Sequence, residues 1–219
     1  MKLSSVLLAR YFGLVQINDF NLNGELYYPE MVKALVDRYN FIKYPTDFNS
    51  IDESKGVEFI GGRSGKRVIE KLVILDTGIY LDTCVNTETS QELWFELMEW
   101  AVQTLGATFK PEMVKRYVYV SQVTFHSDVP ILAVNPFLTK IAAIVTNEVE
   151  NNYKKRLEYE PAVVSIHFDK ESTKLGTAAF SVQRREGVPF GENKYFSSAP
   201  LKTDLHLELL NIWEQAMSD

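Results

Sequence analysis

The chain has 219 residues, 46% hydrophobic and 24% charged, the composition of a soluble globular protein long enough to bury a substantial core. Its net charge of −6 disfavours a whole-protein field that would draw in nucleic acid or an anionic membrane, while leaving room for a local basic patch. A single cysteine, Cys84, excludes an intramolecular disulfide and fits a reducing, cytoplasmic setting, and no apolar run approaches the ~18 residues of a membrane span.

Met1–Ala9 has the look of a signal peptide, but Arg10 breaks its apolar stretch early, so the segment reads as part of the fold. Tyr11–Asp19 alternates and predicts a strand, followed by the turn cluster Asn21-Leu-Asn-Gly24. Pro29 sits where a first helical residue is favoured, and Met31, Val32, Leu35, Val36 and Tyr39 form a helical stripe. Phe41–Tyr44 reads as a short strand. Val57–Ile60, Arg67–Leu75 and Ile79–Val85 are rich in β-branched and aromatic residues, with hairpin turns expected at Gly61–Gly65 and Asp76-Thr-Gly78. Thr89-Ser-Gln-Glu92 has capping-box spacing ahead of Leu93, Leu97, Trp100, Ala101 and Leu105, and Gly106 ends that helix.

The later residues follow the same plan. Tyr117–His126 alternates, and Asn135-Pro136 is a cap plus first-turn proline ahead of Phe137, Ile141, Ile144 and Val145. Ala162–Phe168 and Ala178–Arg185 read as a hairpin, and Tyr195–Ser197 as a shorter strand. Leu205, Leu209, Ile212, Trp213 and Met217 mark a final helix whose buried face they should form, with His206 at the surface and Glu214 pointing away. Trp94, Trp100 and Trp213 are assigned to packing.

Short matches recur between the two parts. Arg10–Ile17 answers Arg116–Val123 at a separation of 106, Pro29–Lys33 answers Pro136–Lys140 at 107, and Thr87–Trp94 answers Thr203–Leu210 at 116. The drift fits insertions in second-half loops at Asp169–Gly176 and Glu186–Asn193. The sequence therefore predicts an α+β protein built as a tandem duplication: residues 1–106 as one half, 107–219 as the other, sharing one compact pseudo-symmetric domain. The order strand, helix, strands, helix, twice over, resembles the topology of the TATA-binding-protein saddle. That resemblance rests on element order and implies an antiparallel sheet with helices on one face and the other face open.

Motifs with chemistry are few. Val73-Ile-Leu-Asp-Thr-Gly78 resembles the aspartic-protease signature, whose chemistry needs a second carboxylate. The second half offers Arg184-Arg-Glu-Gly187 instead, so Asp76 reads as a turn residue, and a hydrolase centred on it is a minor alternative. Gly61-Gly-Arg-Ser-Gly-Lys-Arg67 lacks the spacing of a phosphate loop. His126, His167 and His206 lack metal-ligand spacing. No catalytic residue, metal or cofactor is expected.

The better-founded site is the open sheet face. Strand alternation places Gln16 and Asn18 on one side of the first strand, with Gln122 and Thr124 as their counterparts. Arg67 with Lys71, Gln183 with Arg185, and Ser165 with His167 should likewise share faces. These residues suggest a non-enzymatic binding or adaptor protein that uses this face, or a homomeric contact, to hold a protein or small ligand. The alternative is a nucleic-acid module using a patch of Arg63, Lys66, Arg67, Lys71, Arg184 and Arg185, which the net charge disfavours.

Overall fold

The computed structural model describes residues 1–21, 24, 27–47, 56–169 and 178–218. The fold is α+β, with eight strands and four α-helices among these residues. The strands are β1 (Lys2–Leu14), β2 (Val57–Ser64), β3 (Arg67–Leu75), β4 (Gly78–Thr83), β5 (Arg116–His126), β6 (Val163–Ile166), β7 (Phe180–Arg184) and β8 (Lys194–Ala199). The helices are α1 (Tyr28–Tyr39), α2 (Thr87–Leu105), α3 (Pro136–Tyr153) and α4 (Thr203–Ser218). The chain divides into two units. An N-terminal unit holds Val6–Ser121 with Pro200–Asp204, and a C-terminal unit holds Met1–Ser5, Gln122–Ala199 and Leu205–Asp219. Outward from β1 the N-terminal unit runs β4, β3, β2; outward from β5 the C-terminal unit runs β8, β7, β6. The registered pairs within these runs are antiparallel.

The core of the N-terminal unit forms because α1 and α2 lay their apolar stripes on one face of the strands. Val32, Leu35 and Tyr39 of α1 and Leu93, Trp94, Leu97 and Met98 of α2 meet Tyr11, Val57, Phe59, Ile69, Leu72, Ile79 and Leu81. Trp94 is fully buried, donates its indole N–H to the Ile79 carbonyl at 2.9 Å and packs edge-on to Tyr11. It lies so close to β1 that a Cβ on Gly13 would fall 2.5 Å from its ring. In the C-terminal unit, Val123, Phe125, Val182, Tyr195 and Leu210 are buried, and Trp213 of α4 meets Phe125 and Tyr195 edge-on.

Several predicted elements shift. The first strand is Lys2–Leu14 rather than Tyr11–Asp19, so the signal-like stretch is strand, and Ile17–Asn21 is a 3-10 turn. Phe41–Tyr44 contributes only an isolated bridge between Lys43 and Ile60. Gly61–Ser64 belongs to β2, and the hairpin turns at Gly65-Lys66. α2 starts at Thr87 under an Asn86 cap, whose side chain accepts the Thr89 N–H at 2.7 Å, in place of the expected capping box. The Asn135 cap and Pro136 start of α3 stand as expected. Leu22 and Asn23 of the predicted turn cluster, and residues 170–176 of the proposed insertion, lie outside the described residues.

Helix α4 turns a different face inward from the one its Leu and Ile residues suggest. Thr203, His206 and Leu210 are buried, while Leu205 and Ile212 are exposed. The reason is polar satisfaction: a buried polar group costs little once it is paired. Thr203 and Thr87, the first residues of α4 and α2, exchange hydrogen bonds reciprocally, each hydroxyl accepting the other's backbone N–H at 2.8 and 3.0 Å. His206 bonds Ser197 Oγ at 2.8 Å. Because that hydroxyl spends its hydrogen on the Ser181 carbonyl at 2.8 Å, His206 Nε2 carries the proton of this pair. Glu214, expected to point away, accepts the Asp128 backbone N–H at 2.9 Å.

Two outcomes follow. In a double-mutant cycle, Thr87→Val and Thr203→Val should each cost about 1–2 kcal/mol in urea unfolding, with the double variant costing about their sum, because each substitution strands a different N–H. Burial lowers the His206 pKa to about 4 from its ordinary 6.5. The unfolded chain then binds the proton first, so the stability tied to neutral His206 is whole above about pH 6.5 and lost progressively down to about pH 4, roughly 3 kcal/mol in all. Thermal melts across that window should show the loss in the native chain and a flatter profile in His206→Gln.

Candidate functional site

The N-terminal unit holds an apolar cavity of about 590 Å³. Its position follows from chain geometry. β3 turns into β4 at Asp76-Thr77, and after β1 the chain is tied back to that turn by Val15 N–H to Thr77 O and Ile17 N–H to Asp76 O, both 3.1 Å. The 3-10 turn, the first turns of α1 and the last turns of α2 then close over this end of the strands. Phe20, Leu35, Val57, Ile79, Leu97 and Met98 form the buried wall. Trp100 and Leu105 complete the α2 side, and Asn18, Tyr27 and Asp76 are exposed polar residues on its border. Burial raises the phenol pKa of Tyr28, also on the wall, to about 12, so that group stays neutral. Asp76 is the one carboxylate among the described lining residues. A shared-proton dyad needs two.

The sheet face away from α1 and α2 is organised differently from the expectation. Arg10, Asp82, Lys71 and Ile60 stand in register across β1, β4, β3 and β2. Arg10 forks onto Asp82 with two 2.7 Å bonds and lies 4.0 Å over the Tyr80 ring. Burial disfavours the Arg10 charge, but the Asp82 hydrogen bonds and charge more than restore it, so the Arg10 pKa is raised. Lys71 pairs with Glu58, whose hydrogen bond raises the lysine pKa. The row reads positive, negative, positive, and Glu58, two residues from Ile60 on β2, takes up the Lys71 charge.

Arg67 and Lys71 do not share this face. Inward residues are Val57 and Phe59, then Gly62, on β2, and Leu72, then Ile69, on β3. The alternation changes phase beside Gly61, whose φ of 72° is the left-handed region that favours glycine. Arg67 is thereby turned to α2, where it bonds Glu96 at 2.7 and 2.8 Å. Gln16 and Asn18 lie beyond β1 and both are exposed; Asn18 borders the cavity.

In the C-terminal unit Gln122 and Thr124 alternate with the buried Ser121, Val123 and Phe125 on β5; Thr124 is itself buried against Ser5 Oγ at 2.7 Å. Gln183 is exposed on β7 between Val163 and Phe196. His167 is exposed just past β6 and bonds Ser165 Oγ at 2.8 Å. Arg185 is exposed just past β7. Arg184 is only 6% exposed in its side chain, tied to Glu160 and to the Phe190 carbonyl at 3.0 Å. Thus three of the six proposed patch residues, Arg67, Lys71 and Arg184, are spent on carboxylates.

Sequence reasoning missed the cavity, since its wall residues were assigned simply to core. The signal was the retained Asp76-Thr-Gly78 turn lying between apolar strands. No group of three or more His, Cys, Asp or Glu is placed to hold a metal among the described residues, and no described helix is long and apolar enough to cross a membrane. No known protein family and no curated protein matches the sequence.

The paired charges predict two measurements. Arg10→Met leaves Asp82, 3% exposed in its side chain, without its guanidinium and should cost about 3 kcal/mol in unfolding. Anisotropy titrations with single- and double-stranded DNA and RNA at low salt should show only weak binding with a shallow salt dependence, because three of the six patch cations are already held by carboxylates and leave few phosphates to neutralise.

Proposed function

We propose that the chain is a non-enzymatic binding protein whose ligand is a small, mostly apolar molecule with a cationic or hydrogen-bond-donating end. The observation that carries this reading is the cavity: about 590 Å³, walled by aliphatic and aromatic side chains, with one carboxylate at its border. Its volume falls within the range of ordinary small-molecule sites, where apolar walls supply affinity and a few polar groups fix orientation. The charge row on the open sheet face weighs against a phosphate backbone as the ligand and leaves that face as a secondary surface for a protein partner.

The proposal includes the tandem duplication. It is supported by the element order, in which strand, 3-10 turn, helix, three strands, helix occurs twice. It is supported also by the Thr87–Thr203 pair, in which the first residues of the two closing helices are both threonine and cap in the same way. The TATA-binding-protein-like topology and a cytoplasmic setting belong to the same reading.

The test uses n-nonylamine, nonanol and nonanoate as probes in thermal melts. The amine should raise the melting temperature most and the carboxylate least, with a ligand at a hundred times its Kd adding about 2.7 kcal/mol. Trp100 lines the cavity, so its fluorescence should report the same titration. Asp76→Asn should remove the preference for the amine, and Ala101→Trp, which fills the space, should abolish binding by all three. Absence of any shift, or equal binding by Ala101→Trp, would overturn the reading.

A further inference from the structure

Helix α3 buries almost nothing. Within Pro136–Tyr153 only Thr146 is buried, its hydroxyl accepting the Tyr159 N–H at 2.9 Å. The apolar stripe predicted to be core is on the outside: Phe137 is 65% exposed and Ile144 63%, with Ile141 and Val145 exposed beside them. At about 100° per residue Phe137, Ile141 and Ile144 lie on the face turned away from Thr146, with Val145 on its flank. A contiguous apolar face of this kind on a helix that makes its own caps is the ordinary sign of an interaction surface. The stripe also carries charge in a fixed pattern. Lys140 and Glu148 are both exposed, and each lies four residues from Ile144, one on either side.

We infer that a second copy of this chain docks here, the two α3 helices packing antiparallel across a twofold axis through Ile144. A twofold contact must be self-complementary, and this face is. With Ile144 opposite Ile144 of the second copy, Lys140 meets Glu148 of the second copy, and the reverse pair forms at the other end. Ile144 is central with Ile141 beside Asn147, the two Lys140–Glu148 pairs flank it, and Phe137 packs beside Asn151 of the second copy at each end. Parallel packing would set Lys140 against Lys140 and Glu148 against Glu148, so the same charges that favour the antiparallel register penalise the alternative. An unrelated partner would need no such mirror arrangement. This inference is independent of the cavity, which lies in the N-terminal unit.

Sedimentation velocity on the full chain tests it. The native chain should be a dimer that dissociates on dilution and weakens as salt screens its ion pairs. Ile144→Glu places two carboxylates at the axis and should weaken association at least about tenfold with an unchanged circular dichroism spectrum, the site being on the surface. Lys140→Glu and Glu148→Lys should each weaken it, and the double charge swap should restore it, since the pairs re-form with reversed sign. A native chain still monomeric at ~100 μM, far above the μM dissociation constants of ordinary interfaces, would overturn the inference. So would a dimer indifferent to Ile144→Glu, or a double swap no tighter than the single variants.

Discussion

The contact between Trp94 and Gly13 sets the height of the N-terminal unit. An indole ring lies where any side chain on β1 would have stood, and its N–H is taken by the Ile79 carbonyl of β4. α2 is thereby held down on β1 and β4 at its middle. Tyr11 then packs edge-on to the same ring, with Tyr117 and Tyr119 of β5 around it. With α2 fixed there, its last turns run past the end of the short β4, and the space between them, the 3-10 turn and α1 is the cavity. Close packing at one end and open volume at the other follow from a single placement of the helix.

The units differ in how they treat their first helix, and the difference lies in what each helix finds beneath it. α1 puts Val32, Leu35 and Tyr39 against β2 and β3, which offer Val57, Phe59 and Ile69. β6, the last strand in the C-terminal unit's run, has four residues, of which Val163 and Ile166 are exposed. So short a strand offers little apolar surface, and α3 turns its stripe outward. Periodicity reads both helices alike because it measures whether an apolar stripe exists and is silent on what covers it.

Much of the fold was legible in the chain itself. The helix starts near Pro29 and at Asn135-Pro136 and the strand Arg67–Leu75 all depend on local chemistry: fixed proline φ, amide capping, β-branched runs. The errors fall where a non-local partner decides. His206 was assigned to the surface because it is polar, yet Ser197 satisfies it inside. Lys71 and Arg67 were placed together by parity, yet a phase change beside Gly61 separates them. Asn18 and Asp76 were singled out for other reasons, and what joins them at the cavity is the pair of backbone bonds from Val15 and Ile17 to Thr77 and Asp76.

Charge distribution separates recognition of phosphate from the other binding modes here. A groove for nucleic acid keeps its cations unpaired until the ligand arrives, because counterion release supplies the affinity. This chain does the reverse: Arg10, Lys71, Arg67 and Arg184 each hold a carboxylate of the same unit. Such pairs fix strand register and helix placement, and they remove long-range attraction for polyanions. The apolar areas left open to solvent among the described residues include the wall of the cavity and the outer face of α3. Surfaces of that kind are driven by water release and bind partners that bring apolar area of their own.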